Sequence, residues 1–204
     1  MDESFKPDIS TDEKLQQFSD ILREHGVAVE HWTGEKGTKT VHDLFHEIEN
    51  GETEVEFSET GEVLRIVHVV AGDITFYDPE TGKTCRLKED KQVSKMDGSI
   101  KHRPELHGAV AEKMKVGEDP REATLRGIHE ELGISGDFEI GDEELIQETR
   151  HTPTYPGLTS QYRIHRVPVK IDKASFIQNG YSEEQPTKIN YFVWEDITNW
   201  NNSE

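Results

Sequence analysis

The chain has 204 residues, which is enough to bury a hydrophobic core in one domain. Its formal net charge of −19 disfavours nucleic-acid binding through a basic patch, because an acidic surface repels phosphate backbones. A small phosphorylated ligand can still bind through divalent cations, and the single cysteine, Cys85, excludes an intramolecular disulfide.

The sequence favours a protein of the cytoplasm, or of the nucleus and cytoplasm. The first ten residues, MDESFKPDIS, lack the basic and apolar regions of a signal peptide. No apolar run approaches the length of a membrane span. We therefore expect a cytoplasmic or nucleocytoplasmic protein that has no membrane partner.

A mainly helical extension is predicted over residues 1–58. Apolar residues recur at helical spacing from Leu15 to Leu22 and again within 40–50, which predicts two helices. A short strand is predicted between them, at 27–29. The sequence leaves the role of this extension open between a lid, a dimer arm and a partner site.

Strands around a single helix are predicted over residues 59–204, which we interpret as a second domain. The order of strands, helix and strands predicts an α/β or α+β sandwich with a mixed β-sheet. The predicted elements are strands at 63–70 and 74–77, a strand pair within 83–95, a helix at 120–132, and strands at 144–150, 161–171 and 189–195.

Residues 111–134, which read AEKMKVGEDPREATLRGIHEELGI, contain a recognisable motif. The run resembles the signature of the Nudix hydrolase family, G-x5-E-x7-R-E-U-x-E-E-x-G-U, in which U is a bulky aliphatic residue. The matching residues, which share the signature's register over 112–134, are Glu118, Arg126, Ile128, Glu130, Glu131, Gly133 and Ile134.

The resemblance implies a fold, an activity and a set of site residues. In that family the segment is a loop–helix–loop whose carboxylates hold Mg²⁺ or Mn²⁺ against a diphosphate while water attacks one phosphorus. It implies a Nudix-like α/β/α sandwich that cleaves a small nucleotide-type substrate. Glu130 and Glu131 would be metal ligands, with Glu131 also catalytic, and Arg126 and Glu118 would help to position them. Many relatives dimerise, so a homodimer is left open.

Two residues depart from the signature, and the two changes are the reverse of each other. Glu112 stands where the first glycine belongs, and Gly127 stands where a glutamate belongs. In many family members that glutamate is a metal ligand or the general base. One hypothesis is an exchange, in which Glu112 enters the site from the loop and restores the lost carboxylate as a catalytic group and metal ligand. The other is that Glu112 points to solvent and the motif is decaying.

Other candidate residues lie outside the motif. Glu183 and Glu184 stand in a loop-like stretch before the last strand, a region from which Nudix proteins often draw an extra metal ligand or base. Tyr155 stands in a Pro/Gly/Thr-rich loop and looks exposed, so it could stack on a substrate base. Each stretch could equally be plain surface or a structural turn.

The leading functional interpretation is a metal-dependent hydrolase that cleaves the diphosphate of a nucleoside diphosphate linked to another moiety. The alternative is a catalytically weakened or inactive Nudix-fold module that binds a nucleotide-like ligand or a protein partner. The missing glutamate at Gly127 favours the module, whereas the charged residues retained in register favour the enzyme.

Overall fold

The computed structural model of the chain describes residues 12–102 and 108–199. The helices are α1 (Asp12–Glu24), α2 (Val41–Glu49) and α3 (Pro120–Leu132), and Val29–His31 forms a 3-10 turn. The strands are β1 (Glu54–Phe57), β2 (Val63–Asp78), β3 (Lys83–Ser94), β4 (Ile100–Lys101), β5 (Val110–Lys113), β6 (Glu139–Ile140), β7 (Glu144–His151), β8 (Thr159–Lys170), β9 (Tyr181–Glu184) and β10 (Lys188–Asp196). The predicted fold class, an α/β fold with a mixed sheet, is confirmed.

All three helices agree with the sequence prediction, but several strands do not. The two strands expected at 63–70 and 74–77 are one continuous strand, β2, which passes through Gly72. The absence of a side chain there allows close packing, since an added Cβ would lie 3.3 Å from Thr124 Cγ2. The pair expected within 83–95 is the single strand β3, because no glycine or proline interrupts it.

The strand expected at 27–29 was wrong. Its β-branched residues are buried by packing in a hydrophobic cluster instead of pairing with a neighbouring strand, and Val29 opens the 3-10 turn. Among the described residues, no helix is both long enough and apolar enough to cross a membrane.

The chain forms two compact units, and neither is continuous in sequence. Of the described residues, unit one contains 12–69, 113–118 and 146–164. Unit two contains 70–102, 108–112, 119–145 and 165–199. The domain boundary predicted after residue 58 stays a prediction, and residues 1–11 of that extension lie outside the described residues.

Unit one is built on a hydrophobic cluster to which both N-terminal helices contribute. Helix α2 begins with a capping box, in which Thr40 and Asp43 satisfy each other's backbone N–H groups. The buried members of the cluster are Phe18, Leu22, Val27, Val29, Trp32, Leu44, Phe45, Val55, Val63, Tyr155 and Leu158. Burial of this apolar surface is the main force that holds the helices in place.

A buried ionic group lies in the same unit, around Glu47. Glu47 accepts hydrogen bonds from Lys39 Nζ at 2.5 Å, Arg65 Nη2 at 2.5 Å and the Tyr155 hydroxyl at 3.0 Å. Burial alone would raise the pKa of Glu47, but the hydrogen bonds from Lys39 and Arg65 lower it below its usual value. The carboxylate is therefore ionised and fully compensated by its neighbours.

The expectation that Tyr155 is exposed was wrong. Its side chain is fully buried, and its ring packs 5.0 Å from the ring of Trp32. Burial and the adjacent carboxylate of Glu47 raise the pKa of the hydroxyl, which therefore stays a donor. The composition of the segment around Tyr155 correctly indicated a turn. The tyrosine is buried because its ring packs in the hydrophobic cluster and its hydroxyl donates a hydrogen bond to Glu47.

Unit two contains an antiparallel run of strands in the order β9, β10, β3 and the end of β2. Tyr191 and Phe192 of β10 mark an irregularity in the pairing with β3. Helix α3 belongs to this unit, and its buried residues include Gly127, Ile128 and Leu132. The strands and this helix supply the side chains of the candidate site.

Removal of the Glu47 carboxylate is expected to destabilise the protein strongly. Glu47→Ala should lower the free energy of unfolding by about 3 kcal/mol, because Arg65 would remain buried without its counter-ion. Urea denaturation measures this change. Glu49→Ala is the matched control, since Glu49 is exposed and forms an exposed ion pair with His46, and it should cost less than about 1 kcal/mol. Equal effects of the two substitutions would contradict the prediction.

Candidate active site

The charged residues of the predicted motif stand on helix α3, whose two ends are fixed locally. Asp119 caps the first turn by accepting hydrogen bonds from the backbone N–H groups of Arg121 and Glu122. Gly133 ends the helix with a φ of 68°, a left-handed conformation that favours glycine. Ile128 is fully buried, which fixes the rotation of the helix about its axis.

A pocket of about 380 Å³ lies in unit two beside this helix. Three of the predicted site residues line it, each from a different element: Glu112 from β5, Glu131 from α3 and Glu183 from β9. The remaining lining residues are Arg86, Leu87, Lys88, Glu89, Asp90, His102, Gly108, Ala109, Ala111, Gln185, Lys188 and Asn190. Residues far apart in the sequence thus bring their carboxylates to one cavity.

Crowding of negative charge is strongest at Glu131. Burial, and then the charges of Glu183 and Glu112, raise the pKa of Glu131 from 4.5 to about 8, with a smaller contribution from Glu89. A hydrogen bond from the Ala111 backbone opposes this shift without cancelling it. Burial and the neighbouring negative charges therefore outweigh the hydrogen bond that favours the ionised form of Glu131.

Two basic residues of the pocket pair with acids outside it. Arg86 Nε lies 2.6 Å from Asp73 Oδ1, and Lys88 Nζ lies 2.8 Å from Glu195 Oε1. Asp73 also receives a hydrogen bond from Arg166 Nη2 at 2.6 Å. Lys188 lines the pocket as well, so the cavity holds positive charge beside its carboxylates.

Gly127 and Glu112 are close neighbours in space. A Cβ added at Gly127 would lie 2.8 Å from Val110 Cγ1 and 3.1 Å from Glu112 Cγ, so a side chain at this position would collide with both. The Glu112 side chain thus runs past the point where a residue at 127 would project. This geometry is compatible with the hypothesis of an exchange, because Glu112 lines the pocket and its side chain lies where a side chain at 127 would begin.

Arg126 links Glu112 to Glu130. Its Nη1 atom lies 3.8 Å from Glu112 Oε2 and 3.6 Å from Glu130 Oε2. Glu130 is about half exposed and does not line the pocket, so the structure does not bring it together with Glu131 as the resemblance implied. Residues 130 and 131 are adjacent on a helix and therefore face directions about 100° apart.

Glu183 and Glu184 have different surroundings, although the sequence treats them alike. Both lie in strand β9, so the prediction of a loop was wrong for them, because the segment pairs with β10. Successive strand residues face opposite sides, and only Glu183 lines the pocket. Glu184 is exposed and pairs with Lys95 Nζ at 2.7 Å.

Glu118, which matches the motif, lies in unit one. Its carboxylate accepts a hydrogen bond from the Lys115 backbone N–H at 2.9 Å, and its own N–H donates to the Lys115 carbonyl at 3.0 Å. Together these bonds close the turn of residues 115–118. The structure thus gives Glu118 a local, turn-forming role.

Sequence reasoning missed several residues of the pocket. Gln185 and Asn190 donate hydrogen bonds to Glu183, and Glu89 contributes to the pKa shift of Glu131. Gln185 lies just after the end of β9, so alternation along a strand does not place it, and no signal in the sequence marked it. No signal marks Glu89 either, because β3 is charged on both faces.

The carboxylates of the pocket do not form a three-ligand metal site as they stand. Within residues 12–102 and 108–199, no group of three or more His, Cys, Asp or Glu side chains is arranged to hold a metal ion. Glu112, Glu131 and Glu183 thus line one pocket without that arrangement.

No family model and no curated protein matches the chain. Similar solved structures include the Nudix hydrolase RenU from M. smegmatis, which is 13% identical with a TM-score of 0.38 over 72% of this chain and 82% of that chain. The Ap4A hydrolase from C. elegans is 12% identical with a TM-score of 0.34 over 67% and 85%. A NUDIX-family hydrolase from Clostridium perfringens is 12% identical with a TM-score of 0.35 over the same shares. The likeness to these structures extends to no residue role and to no substrate.

Gly127→Ala is expected to destabilise the protein, although glycine-to-alanine changes inside helices normally stabilise by up to ~1 kcal/mol. The added methyl group would overlap Val110 and Glu112, so the free energy of unfolding should fall by about 1–3 kcal/mol. Urea denaturation measures the sign. In a Val110→Ala background the same substitution should cost less, and stabilisation by Gly127→Ala alone would contradict the geometry.

The stability of the metal-free protein should depend on pH through Glu131. The unfolded chain ionises near 4.5 and the folded chain near 8, so ionisation favours the unfolded state increasingly as pH rises between these values. Glu131→Gln removes this penalty, and its melting temperature relative to wild type should therefore rise from pH 5 to pH 8 in EDTA. Glu130→Gln, outside the pocket, is the control. A difference for Glu131→Gln that is constant over pH would refute the prediction.

Proposed function

We propose that the chain is a divalent-cation-dependent hydrolase of the Nudix type, which cleaves the diphosphate of a nucleoside diphosphate linked to another moiety. The products would be a nucleotide and the phosphorylated moiety. The proposal rests on one observation. A single pocket is lined by Glu112, Glu131 and Glu183, which come from three different elements.

The carboxylates of the pocket are ligands of the kind that Mg²⁺ or Mn²⁺ binds, and the cation would have to draw them together, because they form no three-ligand site among the described residues. These cations prefer clustered carboxylate oxygens, and the raised pKa of Glu131 records a concentration of negative charge that a cation would relieve. Glu112, Glu131 and Glu183 would hold the ion. When bound, such an ion screens the charge of the phosphates and lowers the pKa of an attacking water molecule.

Glu112 would take the role that the glutamate at the position of Gly127 has in many relatives. Its Cγ would lie 3.1 Å from a Cβ at position 127, and its carboxylate lies close enough to Glu131 to raise the pKa of that residue. Arg126 would orient this carboxylate, since its guanidinium lies within ion-pair distance of Glu112. Glu130 would act from outside the pocket, by fixing the other side of the Arg126 guanidinium.

A screen for turnover tests the proposal directly. The protein would be incubated with Mg²⁺ or Mn²⁺ and a panel of dinucleotides, nucleotide sugars and nucleoside triphosphates, and the phosphate-containing products would be assayed. On the substrate that is turned over, Glu131→Gln and Glu183→Gln should each lower kcat by about 100-fold or more. Glu112→Gln should also lower kcat, because it removes the carboxylate that replaces the one lost at Gly127.

Glu184→Gln is the matched control, since it removes the same group one residue away on the opposite face of the strand. Its kcat should stay within about twofold of the wild-type value. Binding of a nucleotide without turnover of any substrate would refute the proposal in favour of a binding module. Turnover that survives Glu131→Gln would show that the site lies elsewhere, and near wild-type kcat in Glu112→Gln would refute the exchange.

A further inference from the structure

We infer that Gln185 and Asn190 are positioning residues, which fix the Glu183 carboxylate toward the pocket so that it can serve as a metal ligand or base. The inference rests on the proposed function, because it concerns how one proposed carboxylate is presented. Neither residue belongs to the Nudix-like motif at 112–134, and both are identified only by their hydrogen bonds to Glu183 in the structure.

The two residues contact Glu183 from two different places, one just after β9 and one on β10. Gln185 follows Glu183 by two residues, and its Nε2 donates to Glu183 Oε1 at 2.7 Å. Asn190 lies directly opposite Glu183 in the antiparallel register, and its Nδ2 donates to Glu183 Oε2 at 2.6 Å. Each carboxylate oxygen therefore accepts one hydrogen bond from a carboxamide, which fixes both the position and the plane of the group.

The chemistry of these donors suits the task. An ionised carboxylate only accepts hydrogen bonds, so each carboxamide must present its nitrogen to Glu183. Carboxamides add no positive charge, which means that they hold the carboxylate without competing with a cation for it. A lysine or arginine in either place would form an ion pair with Glu183 and reduce the negative charge of the pocket.

Asn190 occupies its position at a cost to stability. Its side chain is 4% exposed, and its Oδ1 atom is buried without a hydrogen-bond partner among residues 12–102 and 108–199. A buried carbonyl that lacks a donor destabilises the folded protein, because it gives up its hydrogen bonds to water. What Asn190 contributes is its hydrogen bond to Glu183. This favours a functional reason for an asparagine at this buried position, namely the orientation of Glu183.

Without the two donors, electrostatic repulsion would favour rotation of the Glu183 side chain out of the pocket. Its negative charge is among the leading causes of the raised pKa of Glu131, so the two carboxylates repel each other. Glutamate has several rotatable bonds, and Glu183 is only half buried, so rotation toward solvent would relieve the repulsion. The carboxamides oppose that rotation and keep the group in place before a cation binds.

Binding of Mn²⁺ alone, followed by electron paramagnetic resonance of the free ion, tests the inference without requiring a substrate. Gln185→Leu and Asn190→Leu remove a donor and preserve side-chain volume, and each should weaken Mn²⁺ binding by about tenfold. Thr187→Val, in the exposed turn between the same strands, is the matched control and should leave affinity unchanged. Melting temperatures recorded beside the affinities separate unfolding from a change in the site.

A double-mutant cycle distinguishes positioning from a structural role. If the carboxamides act through Glu183, then Gln185→Leu and Asn190→Leu should change Mn²⁺ affinity by less than about twofold in a Glu183→Gln background. If they only support the hairpin, they should weaken binding equally in both backgrounds. Where a substrate is turned over, the same variants should lower kcat with little change in KM.

The outcomes separate this inference from the proposed function. Absence of Mn²⁺ binding, or binding unchanged by Glu131→Gln, would overturn the proposed function and this inference with it. Binding that depends on Glu131 and Glu183 but not on Gln185 or Asn190 would overturn this inference alone. Equal losses with and without Glu183 would likewise overturn it, because the carboxamides would then act on the fold.

Discussion

The absence of a side chain at Gly127 is the constraint on which the candidate site depends. Val110 and Glu112 approach the helix so closely that a Cβ at this position would lie 2.8 Å and 3.1 Å from their side-chain carbons. Strand β5 can therefore lie against α3, and the carboxylate of Glu112 can pass the helix toward Glu131. The glycine that weakens the resemblance to the Nudix motif is the same residue that lets a second carboxylate enter the pocket.

Two carboxylates of this protein that are largely removed from solvent have pKa values shifted in opposite directions. Glu47 receives hydrogen bonds from Lys39, Arg65 and Tyr155, and the net result is a lowered pKa. Glu131 instead faces Glu112 and Glu183, and its pKa is raised to about 8. A compensated charge stabilises a fold, whereas an uncompensated one stores free energy that a cation can release. The direction of the pKa shift thus separates a structural carboxylate from a proposed functional one.

The sequence predicted the helices well because each has local start and stop signals. Asp119, Pro120 and Gly133 delimit α3, and Thr40 begins α2, so these boundaries needed no tertiary information. Strands were less predictable, because pairing with distant segments decides them, as β9 shows. Burial of single side chains was the least predictable feature.

Among the site residues, Glu131 and Arg126 could be found from the motif, and Glu112 from its position in it. The choice between Glu183 and Glu184 could not be made from sequence, since it depends on which face of β9 meets the pocket. Tyr155 shows the same limit, because the charge of Glu47, more than one hundred residues away in the chain, helps to hold the phenol inside. Gln185 and Asn190 were identified only by their hydrogen bonds to Glu183 in the structure.

The hairpin of β9 and β10 carries Glu183 together with both of its hydrogen-bond donors, within eight consecutive residues. Their mutual geometry is therefore set by one short segment. Substitutions elsewhere in the chain can leave that geometry unchanged. The same compactness makes the turn between the strands intolerant of changes in length. Because side chains alternate along a strand, a shift of one residue would present Glu184 to the pocket and turn Glu183 to solvent. The number of residues in an unremarkable surface turn is thus as much a part of the site as the carboxylates themselves.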